Sequence, residues 1–170
     1  MYNYKIVEQV FRKPKPMTGF LRTVMIVFAV ILLLLGITLS QGFMLPGFLL
    51  VVLYYFYNTY SQKEYEYILE ENHLTIDVIF GKKHRRHAHY LDMEALEVLA
   101  PNWHEAVAKY RKEGGSIRLA KYDYTSYEED TPYYTMIITE NREKIKLLLD
   151  LSDNMLNLIK RRYPDRVFLA

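Results

Sequence analysis

Ten residues, GKKHRRHAHY at Gly81–Tyr90, hold Lys82, Lys83, Arg85 and Arg86 together with His84, His87 and His89, three of the chain's five histidines. Such a run suits three chemistries: metal ligation by imidazole, capture of nucleic-acid phosphates, or contact with anionic lipid headgroups. Side chains alternate across a strand, so His87 and His89 share one face and His84 takes the other. Two ligands on a face fall short of the four that structural zinc uses, and no metal site is expected. A second group, Asp123, Thr125 and Ser126 in KYDYTS, has the donors and acceptors to line a pocket. The same three residue types also close a turn by bonding local backbone. Glu128, Glu129 and Asp130 are adjacent on a turn and lack the spaced oxygens of a calcium loop. There is no phosphate-cradling glycine loop, no GxSxG elbow and no HExxH, so nothing marks a catalytic residue, a small-molecule substrate or a cofactor. A membrane enzyme is the function class that sequence supports least.

What positions these groups begins with a strongly divided chain. From Thr23 to Gln62 there are 40 consecutive residues without Lys, Arg, Asp, Glu or His. A bilayer core takes roughly 20 apolar residues per helical crossing, which makes this run long enough for two. The first span is expected over 23–39 and the second over 44–60, joined by the turn Ser40-Gln41-Gly42. Pro46 falls where a helix begins at little cost. Tyr54, Tyr55, Tyr57 and Tyr60 gather at the end of the second span, where aromatic rings anchor at the headgroup level. A signal peptide does not fit: the apolar run is too long and ITLSQG has no small-x-small cleavage site. Gly36 and Gly42 make no GxxxG pair.

Residues 1–22 carry five Lys/Arg against one acid, while residues 64–170 carry 16 against 19. The basic excess therefore flanks the apolar run, the uncharged turn lies opposite, and both termini are expected in the cytoplasm at the plasma membrane. An acidic domain does not suit a nucleic-acid partner. Cysteine is absent, which removes disulfides and thiolate chemistry. The segment before Pro14 and Pro16 reads as a short interfacial helix, through Ile6, Val7, Val10 and Phe11, or as a basic tail.

From Glu64 onward the apolar period changes to two. Strands are expected at EYEYILE, HLTIDVIF, RRHAHYL, EALEVLAP, SIRLAKYDY, YYTMIITE and EKIKLLLD, with residues 102–115 a helical turn or a mobile loop. SDNMLNLIKRRYP has Ser152 as N-cap, Lys160–Arg162 in the last turn, and Met155, Leu156, Ile159 and Tyr163 as its apolar stripe, so the chain ends on an amphipathic helix. Periodicity alone admits a half-open barrel, another β-barrel or an α+β sandwich.

The run YEYILEENHLTIDVIFGKKHRRHAHYLDMEALEVLAP resembles the opening of bacterial pleckstrin-homology domains. The pieces VEQVFRK, YEYILEENHLTIDVIFGK, LEVLAP, KYDYTS and RVF, with the apolar hairpin, extend the likeness over nearly the whole chain. They resemble a family of small bacterial membrane proteins with two spans and such a domain. The resemblance implies a helical transmembrane hairpin plus a mainly-β pleckstrin-homology-like domain of about seven antiparallel strands and one C-terminal helix. It implies no reaction. The expected domains are a basic segment 1–22, the hairpin 23–60 and the β-domain 61–170. The expected function is that of an anchored, non-enzymatic module binding a protein or peptide, or a second copy of itself. The alternative is recognition of anionic lipid through Lys82, Lys83, Arg85 and Arg86. One strand out and one strand back, each of roughly 23 Å, returns the Gly81-Lys82-Lys83 turn toward the bilayer.

Overall fold

The computed structural model describes residues 5–169; the first four residues of the expected N-terminal segment and the last residue of the tail lie outside them. The chain begins with a strand, β1 (Lys5–Phe11), where a helix or tail is expected. Ile6, Glu8 and Val10 alternate with Val7, Gln9 and Phe11, and the strand pairs antiparallel with β2 (Lys63–Glu70) from Lys5↔Glu70 to Phe11↔Glu64. Ile6 and Val10 pack against the main core. Glu8 accepts hydrogen bonds from both the backbone N–H and the hydroxyl of Ser152. The partner strand lies more than fifty residues away, and burial against it overrides a local pattern that fits either period.

Two apolar helices, α1 (Pro16–Thr38) and α2 (Met44–Ser61), are inserted between these paired strands. Pro16 starts α1 instead of ending an earlier helix, because the first helical position has no N–H bond to lose. Ser40 caps a single 3-10 turn, Gln41–Phe43, between them. Glycine makes their close contact. A Cβ on Gly36 would meet Met44 Cγ at 2.4 Å, and one on Gly47 would meet Leu33 at 3.0 Å. Both helices are long and apolar enough to cross a membrane.

Chain contacts divide into two units, the helices with Ile79–His84 forming one, and the chain up to Lys13, Glu64–Val78 and Arg85–Ala170 forming the other. The second unit contains two four-stranded sheets, ordered β1-β2-β3-β4 and β5-β7-β8-β6, with β3 (His73–Phe80), β4 (His84–Asp92), β5 (Leu96–Pro101), β6 (Ala120–Asp123), β7 (Tyr134–Glu140) and β8 (Glu143–Leu149). Among the described residues the strands thus number eight, and one pairing, β6 with β8, is parallel where an all-antiparallel arrangement is expected. Alternation of side chains fixes which face a strand buries, not its direction, so that pairing has no sequence signature.

Between the sheets lies one apolar core in which Tyr65, Tyr67, Leu74, Ile76, Leu91, Leu99, Met136, Ile138 and Leu147 are almost wholly buried. Helix α3 (Asp153–Arg162) completes it with Met155, Leu156 and Ile159, and Ser152 caps it by accepting the Met155 N–H. Within residues 102–115, expected as a helical turn or a mobile loop, a helical turn forms over Glu105–Tyr110. This 3-10 helix buries Val107 and Tyr110 against Val98 and Ile137, and the buried Lys146 donates to Tyr110 O at 2.5 Å. Desolvation lowers the Lys146 pKa, with Lys121 and Arg118 adding to the effect.

Candidate functional site

The basic run divides at its centre. Its first half is the tip of the β3–β4 hairpin, where Gly81 (φ +54°) and Lys82 (φ +63°) take the left-handed conformations of a tight turn. Gly81 N–H donates to Gln62 O at 3.0 Å, and a Cβ at Gly81 would meet Thr59 Cγ2 at 2.8 Å. Phe80 lies against the Tyr60 ring at 5.6 Å between centroids and beneath the Lys63 ammonium at 5.6 Å. The turn is therefore packed onto the C-terminal end of α2. Lys82, Lys83 and His84 are exposed on it. Of the expected aromatic anchors, Tyr55 and Tyr60 are exposed and Tyr54 and Tyr57 are half-buried on the same helix.

The second half belongs to a polar row across the outer face of the first sheet. Arg85 reaches Glu66 at 2.8 Å and Asp77 at 3.4 Å, and His87 Nδ1 meets the other Asp77 oxygen at 2.6 Å. Gln9 of β1 donates to Glu66 as well. Asp77 is 0 % exposed and the Glu66 side chain 6 %, while the Arg85 side chain is 51 % exposed. Arg85 is thus the counter-charge of two buried carboxylates. Arg86 is exposed, and among the described residues neither it nor Lys82 nor Lys83 makes an ion pair. Against the expectation that it shares a face with His87, His89 is buried on the core side, bonding Glu140 at 2.7 Å and standing edge-on to Tyr122 and Tyr124. His73 stacks on Tyr90 and His104 lies tilted against Phe168, so the histidines are dispersed.

The KYDYTS residues are placed beside a residue that sequence reading missed, Arg12. Asp123 Oδ1 accepts from Thr125 N–H, Thr125 Oγ1 and Arg12 Nη2. Arg12 also donates to Tyr65 Oη at 2.5 Å and lies 4.0 Å over the Tyr127 ring. Ser126 turns away: its N–H donates to Asp150 Oδ2 at 2.7 Å and its carbonyl accepts Lys13 N–H at 2.7 Å. Asp123 and Thr125 border a pocket of about 400 Å³, and Ser126 one of about 510 Å³; Glu128, Thr131 and Asp150 border both. Burial pushes the Tyr65 phenol up to about 12 against the opposing pull of Arg12, raises Tyr124 to about 12, and raises Tyr67 still further. Nothing in the basic N-terminal stretch distinguishes Arg12 from Lys13, since its partners come from distant strands.

Two facing sheets, closed by a C-terminal helix and interrupted after the first strand by an apolar helix pair, define a PH-like domain carrying its own helical hairpin. The chain belongs to the family described as bacterial PH-like domain (DUF6106), whose model matches residues 5–169. No curated protein and no solved structure matches it.

Proposed function

We propose that this protein is a two-span, membrane-anchored and non-enzymatic module, whose PH-like domain is oriented on the cytoplasmic leaflet by Lys82 and Lys83 and offers a surface to a protein partner. The observation that carries the reading is the seat of the β3–β4 turn on the C-terminal end of α2, through Gly81, Phe80, Thr59 and Tyr60. At 1.5 Å per residue the helices measure about 34 and 27 Å, matching a hydrocarbon core of roughly 30 Å. Where α2 leaves that core, the turn and its two lysines meet the headgroups. Each cation near an anionic surface contributes about 1 kcal/mol. Lys63 and Arg22 lie in the same unit, Arg22 donating to Ser61 Oγ at 2.7 Å.

The insertion of the helices between β1 and β2 supports the topology. Neighbouring strands of one sheet precede α1 and follow α2, which supports a hairpin with both ends on the same side. The positive flanks then assign that side to the cytoplasm.

The chain has no cysteine, so an introduced thiol is unique. With Gln41→Cys and His84→Cys in intact cells, an impermeant thiol reagent is expected to reach residue 41 from outside and residue 84 only after lysis. A fluorophore on His84→Cys is expected to be shielded from an aqueous quencher in nanodiscs containing phosphatidylglycerol. In phosphatidylcholine alone, or with Lys82→Gln and Lys83→Gln together, the shielding should fall. Equal quenching in both lipids would remove the lipid-orienting role and leave the anchor.

A further inference from the structure

β1 is the edge of its sheet. One side of the strand is paired with β2 along its full length. Its Glu8 side chain accepts from the Ser152 N–H and hydroxyl, and on the other side the nearest described backbone–backbone bond is Lys13 N–H to Ser126 O, beyond the strand's end. Between Glu8 and Phe11 the strand borders the pocket of about 510 Å³, whose far wall runs through Glu128, Asp150 and Ser152. An edge strand beside open space presents alternate N–H and C=O groups that pair readily with an extended chain.

The charge of this groove states what kind of chain. Glu8, Glu128 and Asp150 line it with no Lys, Arg or His among the lining residues. The adjoining pocket adds Glu129 and also Asp123, the latter already paired with Arg12 and Lys121. Asp150 is 9 % exposed; Oδ2 takes the Ser126 N–H, and Oδ1, itself buried, has no hydrogen-bond partner among the described residues. A carboxylate held there with a single donor leaves negative potential that favours an incoming ammonium or guanidinium. A second copy of this chain fits poorly. Glu8 is the centre of β1, and antiparallel self-pairing over the full strand would set Glu8 against Glu8, which is destabilising.

We propose that an extended segment of a partner protein adds to the free edge of β1 as a fifth strand, with Lys or Arg side chains directed at Glu128 and Asp150. This names the partner surface of the module proposed above and rests on that reading for the existence of a partner.

The test uses the full chain in phosphatidylcholine nanodiscs, where no anionic lipid competes for basic peptides. A library of displayed random nine-residue peptides is selected on it, and the enriched sequences are made with a fluorophore. Lys or Arg at alternate positions is expected, with saturable binding weakened at least tenfold by Glu128→Lys. Thr131→Lys on the same wall should act alike, and unchanged unfolding midpoints establish that both variants fold. N-methylating alternate backbone amides should abolish binding in one of the two registers, since only one faces β1. Absence of enrichment, indifference to both lysine substitutions, or binding that survives N-methylation in both registers overturns the proposal. None of these outcomes touches the lipid role, which is read separately from Lys82 and Lys83 in anionic nanodiscs.

Discussion

The two halves of one hairpin, the tip Ile79–His84 and the arm Arg85–Asp92, carry the same residue types and do opposite things with them. In the arm, Arg85 and His87 meet Glu66 and Asp77, supplied by the two preceding strands, and His89 meets Glu140 from the other sheet. At the tip, Lys82 and Lys83 have no such acids beside them, and the turn is fixed instead by backbone and aromatic contacts with α2. A cation's role therefore depends on whether the fold delivers a carboxylate to it. Arg85 neutralises buried charge, whereas Lys82 and Lys83 are exposed and, among the described residues, make no ion pair.

The largest effect is expected in the arm. Arg85→Ala leaves Asp77 and Glu66 buried without their shared cation, and breaking a buried ion pair from one side typically costs 3–5 kcal/mol. Because Arg85 is half exposed, about 2–3 kcal/mol is expected here. Unfolding of the full chain in nanodiscs, followed by Trp103 fluorescence, should show a clearly lowered midpoint. A loss below about 0.5 kcal/mol, the range of ordinary surface substitutions, would make the arm no different from the tip.

Alkaline pH attacks the arm from the side His89 covers. Burial first, then Tyr122, Tyr65 and Glu140, raise the Tyr124 phenol from 10.0 to about 12. A raised phenol keeps its proton in the folded chain after the unfolded chain has lost it. The stability so gained is complete below pH 10 and disappears as the pH rises toward 12, a loss of about 2–3 kcal/mol for a shift of this size. Tyr65 behaves alike over the same window. Tyr124→Phe removes one such group, so its alkaline unfolding midpoint should lie at higher pH than that of the parent chain. A fluorophore at the tip, on His84→Cys, should report no separate transition between pH 10 and 12.

Gly81→Ala tests the tip's own fixation. Alanine at φ +54°, with its Cβ 2.8 Å from Thr59 Cγ2, adds backbone strain to a clash with a side chain that can only partly move. A cost of about 1–2 kcal/mol is expected, confined to the turn. A spin label on His84→Cys should become more mobile while Trp103 unfolding changes little. Equal mobility in both forms would mean that the seat on α2 does not hold the turn.

How much of this was legible in the sequence follows from the range of the interactions. The two apolar helices, the C-terminal helix with its Ser152 cap, and six of the expected strands stand where periodicity predicts them, while SIRLAKYDY is a strand only over Ala120–Asp123. β1 was misread because Ile6, Val7, Val10 and Phe11 satisfy a helical stripe as well as an alternating one, and its partner β2 begins after both helices. The parallel β6–β8 pairing and the place of Arg12 depend likewise on distant strands. At the candidate sites, sequence located the basic run and the KYDYTS turn but treated each as one patch. The separation of Arg85 from Lys82 and Lys83 is decided by Asp77 and Glu66, whose burial next to Arg85 no pattern within GKKHRRHAHY announces.

The smallest expected effect on stability is also the most informative about function. Lys82→Gln with Lys83→Gln removes two exposed charges from a turn that neither side chain holds in place, so unfolding should move by less than about 0.5 kcal/mol. The contrast with Arg85→Ala lies in what else changes. If the two lysines rest on phosphatidylglycerol at about 1 kcal/mol each, their loss should reduce the preference of the labelled tip for anionic nanodiscs about thirtyfold. That preference should fade with added salt, because exposed charges are screened over roughly 10 Å at 0.1 M. Arg85→Ala should weaken the domain and leave the lipid preference per folded molecule unaltered. A double lysine variant that destabilises the domain, or one that keeps the full preference for anionic lipid, would show that tip and arm share one structural role.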